Sequence, residues 1–460
     1  MIRHASRRKF LKKTSATIAG AALGLRTGNV LSQEKPARQG MVVEVLNPMG
    51  RTPLSFIIDD STCLVNMGHF CTPQFAAAFP DRDTYKRPWK TWPREIPDAF
   101  LREFGEWCAE QGVKGKYSVV PNPACVGWLD RELPGWSRRE LLDSLKLVRE
   151  LMLPNWDIHP EMITHTRVID IKTGRPFPGV GPANIENSYP REKKSVDELA
   201  AYIAYALRIL KNCDLPCEGI TTPGGFGNLV KSELSLAVGQ AVREVFSAEI
   251  PHYFKYVHTG SESTEPTLEH VSGVDAHDVR LTVNIPAGTG DWFGGWQGVT
   301  QSEGHRYTDA EAGKGRMVDL IEQGRPAIML CHWPGMYCNG TKEGFKDFQG
   351  VVRALDRRFR DQTIWMKLSE IARYWAAKEL TQIRRDKAGL AIHAPFATPR
   401  FTLRVAAPDD AAPRIRSNGK RTALEKVSMA TKLKPGTWMR DGTHIVVCFD
   451  LPKGKSSVAL

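Results

Sequence analysis

The sequence has no CxxC pair, no GxGxxG at its first strand–helix unit, and no long apolar run beyond its N-terminal segment. The first absence removes the usual spacing of a four-thiolate zinc site. The second disfavours a dinucleotide enzyme, which holds its pyrophosphate on such a loop. The third leaves no stretch of about 20 apolar residues, so no stable membrane span is expected.

Acidic residues are missing from the first 32 positions, which carry seven of the 63 Lys and Arg. Arg7 and Arg8 in "SRRKFLK" precede a short, weakly apolar segment from Thr14 to Leu25. A basic region followed by such a segment reads as an export signal, and the paired arginines make it similar to a twin-arginine signal. Val30 and Ser32 are small enough to permit cleavage after Ser32. The expectation is residues 1–32 as signal peptide, the twin-arginine export machinery as partner, and a periplasmic or secreted destination.

Without that segment 56 basic residues face 51 acidic ones, a net +5. This is an ordinary excess, and the basic "RSNGKRTALEK" carries no aromatic stacking platforms, so nucleic acid is excluded as a partner. Of the nine cysteines, Cys213 with Cys217 and Cys331 with Cys338 are spaced for pairing, which export permits. An odd count leaves one thiol over, and inert buried thiols are the default.

From residue 40 to 384 strand-like and helix-like pieces alternate. "MVVEVLNP", "LSFIID", "GKYSVV", "DVRLTVNIP" and "PAIMLCHW" read as strands. "IPDAFLREFGEWCAEQG", "SRRELLDSLKLVRELMLPN", "SVDELAAYIAYALRILKNC" and "KSELSLAVGQAVREVFSA" read as helices, with Ser137 as an N-cap. Such repetition predicts an α/β fold with parallel strands inside helices. Two long Pro- and Gly-rich stretches, "KTGRPFPGVGPANIENSYPREKK" and "HTGSESTEPTLEHVSGVDAHD", read as cleft-shaping loops. Residues 385–460 offer short strands and turns, predicting a small β-rich domain.

"FIIDDS" drives an apolar strand into Asp59 and Asp60. Strand ends on one barrel face converge, and four other segments end in matching chemistry. "WDIHPEMITHT" holds His159, Glu161 and His165. One helical turn would align Glu161 with His165, and with Asp60 they make a ligand set for a divalent metal ion. His159 fits that turn less well, and a loop would have to bring it in. In "GITTPGGFGN", Gly224, Gly225 and Gly227 let backbone approach a ligand, so their N–H groups are candidates for holding an oxyanion. "GDWFGGW" sets Asp291 beside Trp292 and Trp296, a carboxylate with aromatic faces that suits sugar rings. "IMLCHW" ends in His332, a candidate for proton transfer.

In this order the segments resemble the motifs of the polysaccharide deacetylase (NodB-homology, carbohydrate esterase) superfamily, over roughly residues 50–380. The resemblance implies a distorted (β/α) barrel of the glycoside hydrolase/deacetylase type, followed by the small C-terminal β-rich domain. It implies Asp59 as catalytic base, Asp60 as metal ligand and His332 as general acid. Of the family's two histidine ligands, the later slot falls on His165, the earlier on Glu161, and His159 stands where a glycine is usual. "TTPGGFG" resembles the third motif without its arginine, near Thr221 and Thr222. One divalent ion is expected, zinc first, with manganese, cobalt or nickel as the other candidates. The expected function is metal-dependent removal of acyl groups from a glycan or oligosaccharide. Two alternatives stay open: a glycoside hydrolase using Asp59 and Asp291 at a separation of about 5–9 Å, and a glycan-binding protein without catalysis.

Overall fold

The computed structural model describes residues 43–274, 278–417 and 419–460. The expected export segment, 1–32, lies outside them. The elements run β1 (Val43–Val45), β2 (Thr52–Asp59), α1 (Met67–Ala78), α2 (Asp98–Glu110), β3 (Gly115–Ser118), α3 (Arg138–Leu147) and β4 (Trp156–His159). A small hairpin, β5 (Ile169–Asp170) and β6 (Arg175–Pro176), comes next, then α4 (Val196–Asn212), β7 (Gly219–Thr221), α5 (Lys231–Phe246) and β8 (His252–Phe254). There follow β9 (Thr267–Ser272), β10 (Arg280–Asn284), α6 (Arg316–Glu322), β11 (Ala327–His332), α7 (Trp333–Tyr337), α8 (Glu343–Phe359), β12 (Thr363–Trp365) and α9 (Leu368–Leu380).

Every residue of β2 is buried, as a parallel strand covered on both faces requires. It pairs in parallel with β11, β3 and β12, and β3 pairs with β4. Alternation divides its side chains. Leu54, Phe56 and Ile58 join the core under the helices, while Ile57 faces Ile250, Phe254 and Ile328 inside. Asp59 shares the inward face of Ile57 and sits level with His332 in the ladder.

A second sheet runs β7, β8, β10 and β9, with β9 antiparallel to β10. Isolated parallel bridges, Glu161 to Thr221 and Asp291 to Leu330, join it to the first. The result is a mixed α/β architecture resembling a distorted (β/α) barrel, with two irregular seams in place of a continuous ladder. Ser137 and Ser195 close capping boxes with Glu140 and Glu198 at the starts of α3 and α4.

After α9 come β13 (Gln382–Asp386), β14 (Gly389–Ala394), β15 (Thr398–Ala406), β16 (Arg414–Ser417), β17 (Lys420–Ala423), β18 (Glu425–Lys426), β19 (Thr437–Asp441), β20 (His444–Leu451) and β21 (Gly454–Ala459). They form two five-stranded sheets, one of which takes β1 against β15. The strand Val43–Val45, expected within the 40–384 unit, thus belongs to the C-terminal sheet. One apolar cluster runs from Ile57 through Trp375 of α9 to Phe401 and Phe449. α1 has no sequence counterpart above because it is buried on most sides and carries Pro73 inside, so no amphipathic period marks it. β9 crosses the second expected loop as a partly exposed edge strand. All nine cysteines are free, so neither suggested disulfide forms.

Candidate active site

Asp59 is buried, and Lys116 of β3 reaches its Oδ1 with Nζ. The same Nζ donates to the Ile58 carbonyl at 3.0 Å and to Ser118 Oγ at 2.8 Å. Burial pushes the Asp59 carboxyl up to about 6, against the pull of Lys116. Lys116 thereby sets its ammonium group beside Asp59, the residue expected as base. Thr221 and Thr222 bond elsewhere: Thr221 N–H to the Pro160 carbonyl, Thr222 N–H to that of Phe254. Sequence reasoning missed Lys116, although a lone charge inside the strand "GKYS" was its signal.

Asp60, Glu161 and His165 come together, each buried, with ligand atoms within 4.8 Å of one another. A helical turn does not do this. The stretch after β4 is a series of bends with Met162 and His165 at positive φ, and Asp60 also has φ 54°. Three such non-glycine residues mark a held, strained turn. Asp60 Oδ1 lies 2.8 Å from His165 Nε2, and Glu161 Oε1 lies 3.4 Å from it. Yet Asp60 Oδ1 has no aligned hydrogen-bond donor, although buried. Two carboxylates and one imidazole whose ligand atoms meet this closely suit a divalent ion. Burial opposes the imidazolium form of His165, but Asp60 and Glu161 outweigh it and hold the group well above its usual range.

Glu186 fixes this turn. Its carboxylate accepts the backbone N–H of Ile163 (3.1 Å), Thr164 (3.0 Å) and His165 (2.6 Å), and the Tyr202 hydroxyl also donates to it. Burial raises it to about 7. It lies in the first expected loop, and nothing in "ANIENS" sets it apart from a solvated glutamate.

His332 ends β11 with Nδ1 2.7 Å from Asp291 Oδ2. Burial works against its charge, but the Asp291 hydrogen bond and charge raise it to about 10, helped by Asp60 and Asp59. Its side chain keeps 25% exposure, against 9% for Asp291, so the imidazole is the member of the pair open to a ligand. Asp291 Oδ1 accepts the Phe293 N–H. Asp291 is thereby the orienting partner of His332, unlike the free carboxylate a glycosidase pair needs.

Three other expectations change. Gly225 N–H donates to the Asn187 carbonyl at 2.7 Å and Gly227 N–H to that of Tyr189 at 2.8 Å, so neither is free to hold an oxyanion. Gly224, at φ 44°, lies where a Cβ would come within 3.1 Å of Asn187 Cβ; these glycines lash the turn to the Glu186 segment. Trp292 is half-buried with the Arg306 guanidinium 4.3 Å over its ring, which takes up an aromatic face expected for a sugar. Trp296 packs against Phe75, whose ring is 5.9 Å from that of His165. His159 does not join Asp60; it lies with Asp157 and His252 in a separate buried cluster.

No protein-family model matches the chain, and no curated protein matches it. Among solved structures, a Mycobacterium smegmatis protein described as a polysaccharide deacetylase is similar over 70% of this chain and 90% of its own, at 11% identity and a TM-score of 0.36. A 4-alpha-glucanotransferase from Thermococcus litoralis is similar over 70% of this chain and 40% of its own, at 14% identity and a TM-score of 0.34.

Proposed function

We propose that this protein is an exported, metal-dependent hydrolase that removes acyl groups, acetyl in the first place, from a glycan. The observation that carries the reading is the convergence of three elements at neighbouring strand ends: Asp60, Glu161 and His165 as a ligand set, Asp59 as a buried carboxylate, and His332 held by Asp291. Asp60, Glu161 and His165 would hold a divalent ion, zinc in the first place, which would supply Lewis-acid polarisation and water activation.

The chain's own groups do the rest. Asp59, ionised above about pH 6, takes the proton from water as it attacks the acyl carbon. Lys116 keeps that carboxylate ionised in a buried place and fixes its direction. His332 presents Nε2, since Nδ1 is held by Asp291, and donates a proton to the departing amine or alcohol oxygen. Trp296 supplies an apolar wall for the sugar face.

The deciding experiment is a metal-reconstituted assay on acetylated and unacetylated oligosaccharides, with products identified by mass. Loss of acetyl at constant chain length supports the proposal. Shortened chains favour glycosidic cleavage, and binding without any product favours a glycan-binding protein. Export belongs to the same proposal, and replacing Arg7 and Arg8 together with lysine is expected to retain the precursor; normal export of that variant rules out the twin-arginine route.

A further inference from the structure

Asp157, His159 and His252 take no part in the chemistry above, yet all three are buried polar groups whose ligand atoms lie within 4.8 Å of one another. His159 Nε2 and His252 Nε2 face each other at 2.9 Å, and Asp157 Oδ2 lies 3.9 Å from His252 Nε2. An imidazole whose one nitrogen carries the proton offers a lone pair on the other. Ligands about 2.0–2.2 Å from a zinc-class ion stand about 3–4 Å apart in tetrahedral or octahedral arrangements, which these spacings match.

We infer that Asp157, His159 and His252 form a second metal site, taking a zinc-class divalent cation inside the barrel, separate from the Asp60 trio. Position gives the ion its role. Asp157 and His159 belong to β4, the last strand of the first sheet, and His252 to β8 of the second. Between them stands β7, joined to the β4 side by the isolated bridge Glu161 to Thr221, the Thr221 N–H to Pro160 carbonyl bond and a 3.4 Å contact of Thr221 Oγ1 with His159 Nδ1.

Gly219 of β7 leaves the space: a Cβ there would lie 2.6 Å from His159 Nε2 and 2.7 Å from His252 Nε2. The ion closes the seam where the ladder is broken. Asp157 extends the link to α9, accepting the Ser369 N–H at 2.6 Å and Ser369 Oγ–H at 2.8 Å. A cavity of about 140 Å³ is lined by Ser369, the residue that bonds Asp157, together with Glu218 and Met366.

The test uses the full chain, stripped with chelator, reloaded with Zn²⁺ alone and counted by mass spectrometry of the metal. Two ions per chain are expected, falling to one in His252→Asn and to one in His165→Ala. His165→Ala leaves the second cluster whole and is the deciding sample should His252→Asn not fold. Its remaining zinc should show imidazole neighbours in X-ray absorption and raise Tm reversibly. A His165→Ala protein that binds no zinc overturns the inference, and so does a folded His252→Asn protein with the wild-type count. If zinc survives His165→Ala but vanishes with His252→Asn, the second site stands and the hydrolase reading loses its metal.

Discussion

Lys116 Nζ, on β3, reaches across to the Asp59 carboxylate at the end of β2, and both groups are buried. Opposite charge lowers a carboxyl pKa and burial raises it; here burial prevails, leaving Asp59 at about 6. Lys116→Met keeps most of the volume and removes the cation. The acidic limb of the rate profile should then move up by about 1–3 pH units, because Asp59 ionises with more difficulty. A pH–kcat profile of folded variant and parent checks this, and an unmoved limb removes Lys116 from the chemistry.

Asp291 does for His332 what Lys116 does for Asp59. Its carboxylate raises the imidazole to about 10, so the rate should need Asp59 ionised and His332 protonated, with a plateau from about pH 6 to 10. Asp291→Asn keeps a hydrogen-bonding group but not the charge, and the alkaline limb should fall toward the ordinary histidine range. In a glycosidase using Asp291 as its second carboxylate, the same substitution would abolish turnover at every pH. The pair of profiles separates these outcomes.

Stability follows with its own sign. His332 has a folded-state pKa raised above its free value, so its contribution is complete below about 6.5 and lost as pH rises through about 10. Asp291→Asn should remove that dependence. Thermal melts of the metal-free protein across that window measure the difference.

What the sequence disclosed and what it hid divide along a physical line. β2 and β11 were legible because a buried parallel strand is an unbroken apolar run, and the polar residues ending it, Asp59, Asp60 and His332, stand out against it. Glu161 and His165 were legible as a pair, but the helical turn assigned to them was wrong. Their meeting depends on backbone at positive φ held by Glu186, and local spacing does not encode a support 21 residues away. Lys116 and His252 were hidden for a related reason: each is a single polar letter in a short strand, and only the inward face of the barrel gives it a partner.

That support is itself testable. Glu186→Gln keeps the shape, but its amide NH2 must face one set of donors now satisfied by a carboxylate oxygen, either Ile163 N–H and Tyr202 O–H or the N–H groups of Thr164 and His165. The turn should loosen and divalent-ion affinity at the trio should fall by about 10–100-fold, the usual cost of losing a group that orients a ligand. Competition with a coloured chelator reads this without any substrate. Tyr202→Phe removes one donor and leaves the three N–H bonds, so it should cost less. Equal affinity in Glu186→Gln and the parent would leave Glu186 as a fold residue only.

The last prediction concerns the proton His332 is proposed to give. Asp59→Asn cannot accept a proton, so it should lose about 10²–10⁴-fold in rate for every substrate while metal content holds. His332→Ala should lose a comparable factor only where the leaving group needs protonation. A sugar acetamide departs as an amine and needs that proton; an activated aryl acetate departs as a stable phenolate and does not. The ratio of the two rates should therefore rise steeply in His332→Ala and stay near the parent's in Asp59→Asn. Each ratio is taken from kcat, so that different binding of the two substrates does not enter. Should His332→Ala slow both substrates by the same factor, His332 is a positioning residue, and the proton to the leaving group must come from elsewhere.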